Sequence, residues 1–170
     1  MAETETVNEK GGCLCGKIRY EVRNEPYGVI VCLCHFCQKS TGSDYKVLSL
    51  SSKDEFDLLS GDPGVYEHIS EGSGHTVYLH FCRDCGSQLF HKFERFSDCV
   101  GVLAGTFDNT NWFERNPETV EYFFLESAPQ GAIIPPGFKT YSEHALTQQG
   151  ELQDPEYLED YLIIKRDEKT

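Results

Sequence analysis

The sequence predicts a mainly β protein built from antiparallel sheets. Eight short runs are rich in Val, Ile, Tyr and Phe, the residues that favour strands. These runs are Ile18 to Arg23, Val29 to Leu33, Tyr45 to Leu50, Val65 to Ile69, Thr76 to Phe81, Gln88 to Phe93, Val100 to Leu103 and Val120 to Leu125. Turn signals such as Gly61 to Gly64 separate many of them. A parallel sheet is not expected, because the crossover helices that it needs are missing from the pattern.

One short helix is expected near the end of the chain. Asp154 can cap its N-terminus, and Pro155 suits the first helical position, where no backbone N–H donor is needed. The residues that follow place apolar side chains at the spacing of one helix face. They are Tyr157, Leu158, Tyr161 and Leu162.

The length of 170 residues is the usual size of one domain. We expect a single domain over residues 11–165, because no linker divides that stretch. The acidic N-terminal residues 1–10 are expected to be disordered, and the polar residues 166–170 are expected to form a frayed tail.

The charge and the cysteine content limit the classes of function. The net charge of −13 argues against a nucleic-acid partner, which would require clustered Lys and Arg. No apolar run is long enough for a membrane span, and the N-terminus has no apolar signal region, so we expect a cytoplasmic protein. In that reducing compartment, eight cysteines favour metal binding over disulfides. The sequence leaves open whether the chain forms a homo-oligomer.

Seven of the eight cysteines fall into three tight groups. The groups are Cys13 with Cys15, then Cys32 with Cys34 and Cys37, then Cys82 with Cys85. In an extended segment, residues i and i+2 point to the same side, so a C-x-C pair can offer two sulfurs to one ion. A C-x-x-C turn followed by glycine does the same, and Gly86 would permit a positive φ there. Cys99 stands alone and is expected to be a buried, inert thiol.

Spacing alone leaves two pairings of these groups open. The commoner arrangement is a single zinc ribbon of Cys34 and Cys37 with Cys82 and Cys85, which leaves three cysteines unexplained. The other arrangement uses all seven cysteines. Its four-sulfur site contains Cys13, Cys15, Cys82 and Cys85, and its three-sulfur site contains Cys32, Cys34 and Cys37.

The number of ligands predicts what each site can do. A four-sulfur tetrahedron has no free position and can only hold the fold together, whereas three protein ligands leave a position for water or substrate. Three thiolates donate much charge to zinc, so such a site favours an incoming thiol in its thiolate form. We therefore expect two Zn²⁺ ions and a substrate that contains sulfur.

The cysteine motifs resemble those of the glutathione-dependent formaldehyde-activating enzyme family. The family pattern G-C-x-C-G, C-x-C-x-x-C and F-C-x-x-C-G is matched at Gly12 to Gly16, Cys32 to Cys37 and Phe81 to Gly86. The match covers about residues 11–110, and the chain departs from the pattern over residues 115–165. The sequence also resembles centromere protein V.

This resemblance implies a zinc-bound β-tent fold in which the four-sulfur zinc is structural and the three-sulfur zinc is catalytic. It implies carbon–sulfur lyase chemistry, the reversible joining of the glutathione thiol to a small aldehyde such as formaldehyde. Because the divergent C-terminal part could line the substrate pocket, the aldehyde or the thiol could differ from those of the family.

Four further residues are candidates for substrate chemistry. His35 lies within the three-cysteine segment, and histidine is the commonest general acid in proteins, so it is the first candidate for the proton donor. The competing interpretation is a histidine that lies on the surface or only supports the metal ligands. Arg19, Lys39 and Arg83 lie near cysteines and are candidates for binding glutathione carboxylates. The alternative function is a non-enzymatic binding module that uses zinc for folding alone.

Overall fold

The structure is a computed structural model that describes residues 7–165. These residues form two compact units. Unit 1 contains residues 7–28 and Leu48–Glu114, and unit 2 contains Val29–Val47 and residues 115–165. The expected tail at residues 166–170 and the first six residues of the expected disordered N-terminus lie outside the described residues.

Short strands dominate the described residues. The elements in chain order are β1 Asn8–Gly12, β2 Arg19–Arg23, β3 Gly28–Cys32, α1 His35–Thr41, β4 Lys46–Ser52, β5 Phe56–Ser60, β6 Gly64–Ile69, β7 Thr76–Phe81, β8 Gln88–Phe93, β9 Cys99–Leu103, β10 Val120–Phe123, β11 Ile133–Ile134, β12 Lys139–Thr140, β13 Glu156–Tyr157 and β14 Leu162–Ile163. Short 3₁₀ helices cover Lys53–Glu55, Ala104–Thr106 and Leu125–Ser127. None of the helices in the described range has the length and apolar character needed to cross a membrane.

Unit 1 is built from antiparallel strands. One sheet has the order β1-β2-β5, and the other strands of the unit pair in the order β4-β9-β8-β7-β6, with β4 contributing from Leu48 onward. Aromatic side chains fill the unit's core. Tyr20 is fully buried, and its ring lies 5.5 Å from Phe56 and 5.6 Å from Phe107 between centroids. Burial of several aromatic rings removes a large apolar area from water and stabilises the unit.

Unit 2 contains the parallel pairings of the structure. Strand β10 pairs in parallel with both β3 and β12, whereas β12–β13 and β11–β14 are antiparallel. At the end of β10, Phe123 packs with Tyr141 and Ala145 in a buried cluster. The backbone N–H of Leu33 donates to the carbonyl of Phe123 at 3.0 Å, which extends the β3–β10 pairing to the point where α1 follows. Packing and pairing therefore fix the chain just before α1.

The predicted fold class, mainly β with antiparallel sheets, is confirmed, and all eight predicted runs contain strands. The sheets are mixed rather than purely antiparallel, because β10 has parallel neighbours. The predicted N-terminal disorder is wrong for residues 8–10, which belong to β1 and pair with β2. Backbone hydrogen bonds to β2 stabilise these residues although their side chains are polar.

The predicted C-terminal helix is wrong. In its place are the two-residue strands β13 and β14. Tyr157 and Tyr161 are 60% and 69% exposed, so the apolar stripe that suggested a helix does not pack against a core. An isolated helix of this length is marginal in water, whereas pairing of Glu156 with Thr140 gives the backbone hydrogen-bond partners.

Candidate metal centres

Four cysteine sulfurs meet in unit 1. Cys13 and Cys15 lie in the turn after β1, and Cys82 and Cys85 lie in the turn between β7 and β8. All four sulfur atoms lie within 4.8 Å of one another. The Cys13–Cys15 sulfur distance is 3.5 Å, and the Cys15–Cys82 distance is 3.7 Å. Of the two pairings that spacing left open, this grouping belongs to the one that uses all seven clustered cysteines.

Two turns of similar form present these thiols. The backbone N–H of Gly16 donates to the carbonyl of Cys13 at 2.9 Å, and that of Gly86 donates to the carbonyl of Cys82 at 2.9 Å. Gly16 has a φ of 77° and Gly86 a φ of 73°, in the left-handed region that favours glycine. The positive φ expected at Gly86 from the sequence is thus present. Each glycine lets the chain reverse directly behind a cysteine pair.

Hydrogen-bond donors point at the sulfurs of the four-cysteine group. The backbone N–H of Ile18 lies 3.2 Å from Cys13 Sγ, and the hydroxyl of Ser87 lies 3.3 Å from Cys85 Sγ. Hydrogen bonds from the side chain and backbone of Ser87 lower the pKa of Cys85 to about 5. Such donors stabilise the thiolate, which is the form that binds metal.

Three further sulfurs meet in unit 2. Cys32 ends β3, Cys34 precedes α1, and Cys37 lies in the first turn of α1. Their sulfur atoms all lie within 4.8 Å of one another, and the thiol of Cys32 donates to Cys34 Sγ at 3.4 Å. Cys32 and Cys37 are buried, whereas Cys34 is partly exposed. The group therefore has one side that an outside ligand can approach.

The three thiols differ in how readily they lose a proton. Hydrogen bonds from Cys32 and Cys37 lower the pKa of Cys34 to about 3, and the backbone N–H of Cys37, 3.3 Å from Cys34 Sγ, contributes. The hydrogen bond to Cys34 raises the pKa of Cys32, and burial raises it further. The group thus holds a thiolate at Cys34 that its neighbours stabilise. A metal ion bound there would displace the remaining thiol protons.

A buried lysine adjoins the three-cysteine group. Lys46, the first residue of β4, is 2% exposed, and its Nζ donates to Ser40 Oγ at 2.8 Å. Burial lowers the pKa of Lys46, while the thiolates of Cys37 and its two partners raise it. Lys46 was not among the candidates from the sequence. The alternation of side chains along a strand could have identified it, because Lys46 and the buried Leu48 are two positions apart in β4 and therefore lie on the same face.

Both groups fit a soft divalent metal such as zinc. Tetrahedral zinc with bonds of about 2.3 Å to sulfur holds its ligands somewhat under 4 Å apart, as the 3.5 and 3.7 Å separations in the four-cysteine group do. Purely sulfur donor sets select zinc and other thiophilic metals over Mg²⁺ or Ca²⁺. Among the described residues, no histidine or carboxylate joins either group. One group therefore offers four ligands and the other three.

The other candidates from the sequence lie in different surroundings. Arg19 Nη1 donates to Asp108 Oδ1 at 2.9 Å, so this guanidinium already has a carboxylate partner. His35, the first residue of α1, and Lys39 on the same helix are exposed. Arg83 is exposed in the turn of the four-cysteine group. None of these four is enclosed by the protein.

Cys99 lies outside both groups. It is half-buried at the start of β9, and the hydroxyl of Tyr27 donates to its Sγ at 3.0 Å. Burial raises the pKa of Cys99, so its thiol stays protonated at neutral pH. Cys99 therefore provides a matched control for substitutions in the two groups.

Comparison with known proteins identifies the family. A crystal structure of a protein from Rhodobacter sphaeroides is similar, with 20% sequence identity and a TM-score of 0.49 over 66% of this chain and 98% of that chain. A likeness at this level supports no statement about activity. The sequence model of a family described as glutathione-dependent formaldehyde-activating enzyme matches residues 8–126, more than half of the chain. This protein therefore belongs to the glutathione-dependent formaldehyde-activating enzyme family.

Proposed function

We propose that the protein is a zinc-dependent carbon–sulfur lyase that reversibly joins the thiol of glutathione to a small aldehyde. The observation that carries this proposal is the three-cysteine group, in which three sulfurs converge and no histidine or carboxylate of the described residues joins them. A site with three protein ligands keeps a position for substrate. Family membership supports glutathione as the thiol and formaldehyde as the aldehyde.

The two cysteine groups receive different roles. We assign structural zinc to Cys13, Cys15, Cys82 and Cys85. Four sulfurs complete a tetrahedron, and a metal bound by them would connect two turns that are far apart in the sequence. We assign catalytic zinc to the three-cysteine group, because its set of ligands is incomplete and Cys34 is partly exposed. When bound by Cys32, Cys34 and Cys37, zinc supplies a Lewis acid that favours the thiolate form of an incoming thiol.

The reaction also requires the transfer of one proton. Joining the thiol sulfur to the carbonyl carbon moves the C=O π electrons onto oxygen, which then takes a proton, and the thiol proton is released. His35 is the candidate to hold and donate that proton from a ring nitrogen, because it is exposed and directly follows Cys34. Ser40 and Tyr45 are the further candidates. The same residue would withdraw the proton when the C–S bond is cleaved.

Cationic side chains are proposed to bind the carboxylates of glutathione. Lys39 is the strongest candidate for carboxylate binding, because it is exposed on α1, the helix that carries Cys37. Arg19 and Arg83 remain candidates, although Arg19 would have to exchange Asp108 for a substrate carboxylate. We also propose a cytoplasmic location, since eight unpaired cysteines suit a reducing compartment.

Nuclear magnetic resonance of ¹³C-labelled formaldehyde with glutathione tests the proposed function. Zinc-loaded protein is expected to accelerate exchange between formaldehyde and S-hydroxymethylglutathione above the uncatalysed rate. Cys34→Ser should lose this acceleration, and Cys99→Ser should keep it, because Cys99 lies outside both groups. If protein carrying two zinc ions accelerated nothing and bound no glutathione, a non-enzymatic module with structural metal would describe it better.

A further inference from the structure

Strand β6 is an open edge of the sheet in unit 1. Over residues 7–165, β6 pairs with β7 alone, and the strand order ends there. The pairs run from Gly64↔Phe81 to Ile69↔Thr76 without a shift in register. Bulges, prolines and lysines are the usual features that keep an edge strand from pairing with another chain. Strand β6 contains none of the three.

The outward-facing backbone groups of β6 belong to Val65, Glu67 and Ile69. In an antiparallel pair, the hydrogen bonds between the strands involve every second residue of each strand. The N–H of Ser70 donates to the carbonyl of His75 at 2.9 Å, one position beyond the last pair of β6. Steps of two back along the chain assign the even-numbered residues of β6 to hydrogen bonds with β7. The odd-numbered residues then present their N–H and C=O groups on the other side.

The hydrogen bonds of β7 agree with this assignment. Thr76 lies opposite Ile69, and its carbonyl accepts from the N–H of Glu94, the residue that follows β8, at 3.0 Å. The carbonyl of Thr76 therefore points toward β8 and away from Ile69. Since no strand of the described residues pairs with the outer side of β6, its outward groups form a template to which a further strand can be added.

The side chains along this edge are largely exposed. Val65 is 46% exposed, Tyr66 58% and Ile69 68%. Alternation along the strand places Val65, Glu67 and Ile69 on one face of the sheet and Tyr66 on the other. An added strand would therefore cover apolar side chains on both faces, in addition to forming main-chain hydrogen bonds.

The charge of the edge indicates what kind of segment fits it. Residues 61–82 contain the acidic residues Asp62, Glu67 and Glu71, all exposed, and no Lys or Arg. On the face of Glu67, Lys92 lies two strands inward, about 10 Å away at the usual strand spacing. Salt screens exposed charges strongly at that separation. The edge is therefore complementary to a cationic segment.

A second copy of this chain fits the edge poorly. Antiparallel pairing of β6 with β6 of another copy, in the register that uses all outward groups, places Glu67 directly opposite Glu67. Like charges in directly opposite positions destabilise a strand pair. A shift by two residues separates the two glutamates but loses one of the hydrogen-bonded pairs. Charge and register together favour a different chain with a cation at its centre.

We propose that the β6 edge binds an extended segment of another protein, in which a central Lys or Arg is flanked at alternate positions by apolar residues. In the antiparallel arrangement the cation lies opposite Glu67, and the apolar residues lie opposite Val65 and Ile69. Main-chain hydrogen bonds supply the affinity, and the side-chain pairs supply the preference for this pattern. Strand β6 contains no cysteine, so the inference is independent of the proposed function.

Fluorescence polarisation with labelled peptides tests the charge preference on the full chain. The probe is a short capped peptide in which Thr and Val alternate around a central Lys, and the comparison peptide has Glu in place of that Lys. Wild-type protein is expected to bind the Lys peptide roughly fivefold to tenfold more tightly. Glu67→Lys should reverse this order. The control is Glu25→Lys, which makes the same change of charge at an exposed position before β3 and should keep the wild-type order.

Ile69→Pro tests the main-chain hydrogen bonds. Proline removes the outward N–H of residue 69 but leaves the hydrogen bonds of β6 to β7, and it is tolerated on the open side of an edge strand. Binding of the Lys peptide should weaken roughly fivefold or more, whereas Ile69→Thr, which keeps the N–H group, should lose about twofold at most. Methylation of the backbone nitrogen of the central Lys in the peptide should weaken binding as Ile69→Pro does, and it needs no change in the protein.

Four results would overturn the inference. The first is an absence of binding at millimolar peptide, and the second is equal affinity for the Lys and Glu peptides. Unchanged binding of the methylated peptide would show general attraction to an acidic chain without strand pairing. A wild-type dimer in sedimentation velocity that Ile69→Pro dissociates would identify a second copy of this chain as the occupant of the edge.

Discussion

The two cysteine groups use the same ligand atom but differ in how the chain closes them. In the four-cysteine group, Cys15 and Cys82 are 67 positions apart and come from two turns of unit 1. In the three-cysteine group, all ligands lie between Cys32 and Cys37, next to one helix of unit 2. A metal in the first group would close a long loop of chain, whereas in the second it would tie a segment that local hydrogen bonds already order.

The surroundings of the sulfurs also differ between the two groups. Exposed Cys15 and partly exposed Cys85 belong to the four-cysteine group, where backbone N–H groups and the Ser87 hydroxyl supply the donors. The three-cysteine group instead has an electrostatic interaction with a buried ammonium, that of Lys46. A complete ligand set needs no further charge control, but a site that accepts a fourth ligand does. Coordination number and charge environment thus point to the same division of roles.

The largest expected effect is loss of the fold on breaking the four-cysteine group. Cys13→Ser or Cys85→Ser removes a ligand from a site whose metal is expected to contribute on the order of 10 kcal/mol, which is comparable to the whole stability of a domain. Both variants should therefore lose cooperative thermal unfolding, monitored by circular dichroism. Cys99→Ser, which changes a thiol outside the groups, should melt close to wild type. A Cys85→Ser protein with an unchanged melting curve would contradict the structural role of the four-cysteine group.

A smaller effect is expected from straining the same site without removing a ligand. Gly86→Ala places a Cβ on a residue with a φ of 73°, at a cost of about 1–2 kcal/mol, although no atom lies within 4 Å of the new carbon. The melting temperature should fall by several degrees, and zinc should leave the four-cysteine group more readily in a chelator titration. Gly72→Ala is the matched control, since Gly72 is exposed, has no positive φ and also has open space around it. Equal behaviour of the two variants would show that the turn conformation does not matter for metal retention.

Strands were predictable where side chains carry the signal. The eight runs rich in Val, Ile, Tyr and Phe all contain strands, because branched and aromatic residues pack on a half-buried sheet. Strand β1 was missed, since its side chains are polar or absent and only its pairing with β2 orders it. Helix α1 was missed because seven residues are too few to show a helical period and several of them are poor helix formers.

The two cysteine groups were predictable in part. The C-x-C and C-x-x-C spacings identified the ligands, but they left two pairings open, because spacing does not reveal which turns the strands bring together. Packing of the two sheets of unit 1 places the turn after β1 beside the turn between β7 and β8, as the hydrogen bond from Leu14 N–H to Ser87 Oγ shows. Lys46 was missed because a lone lysine in a strand usually faces solvent, and its burial depends on the packing of β4 against α1.

Native mass spectrometry of Cys34→Ser tests the central division of roles most directly. Wild-type protein should carry two zinc ions, and Cys34→Ser should carry one while keeping the charge-state distribution and the melting curve of a folded chain. The retained ion would belong to the four-cysteine group, and the lost ion to the open one. A Cys34→Ser protein that unfolds as completely as Cys13→Ser, or that retains both ions, would contradict the assignment of one structural and one catalytic zinc.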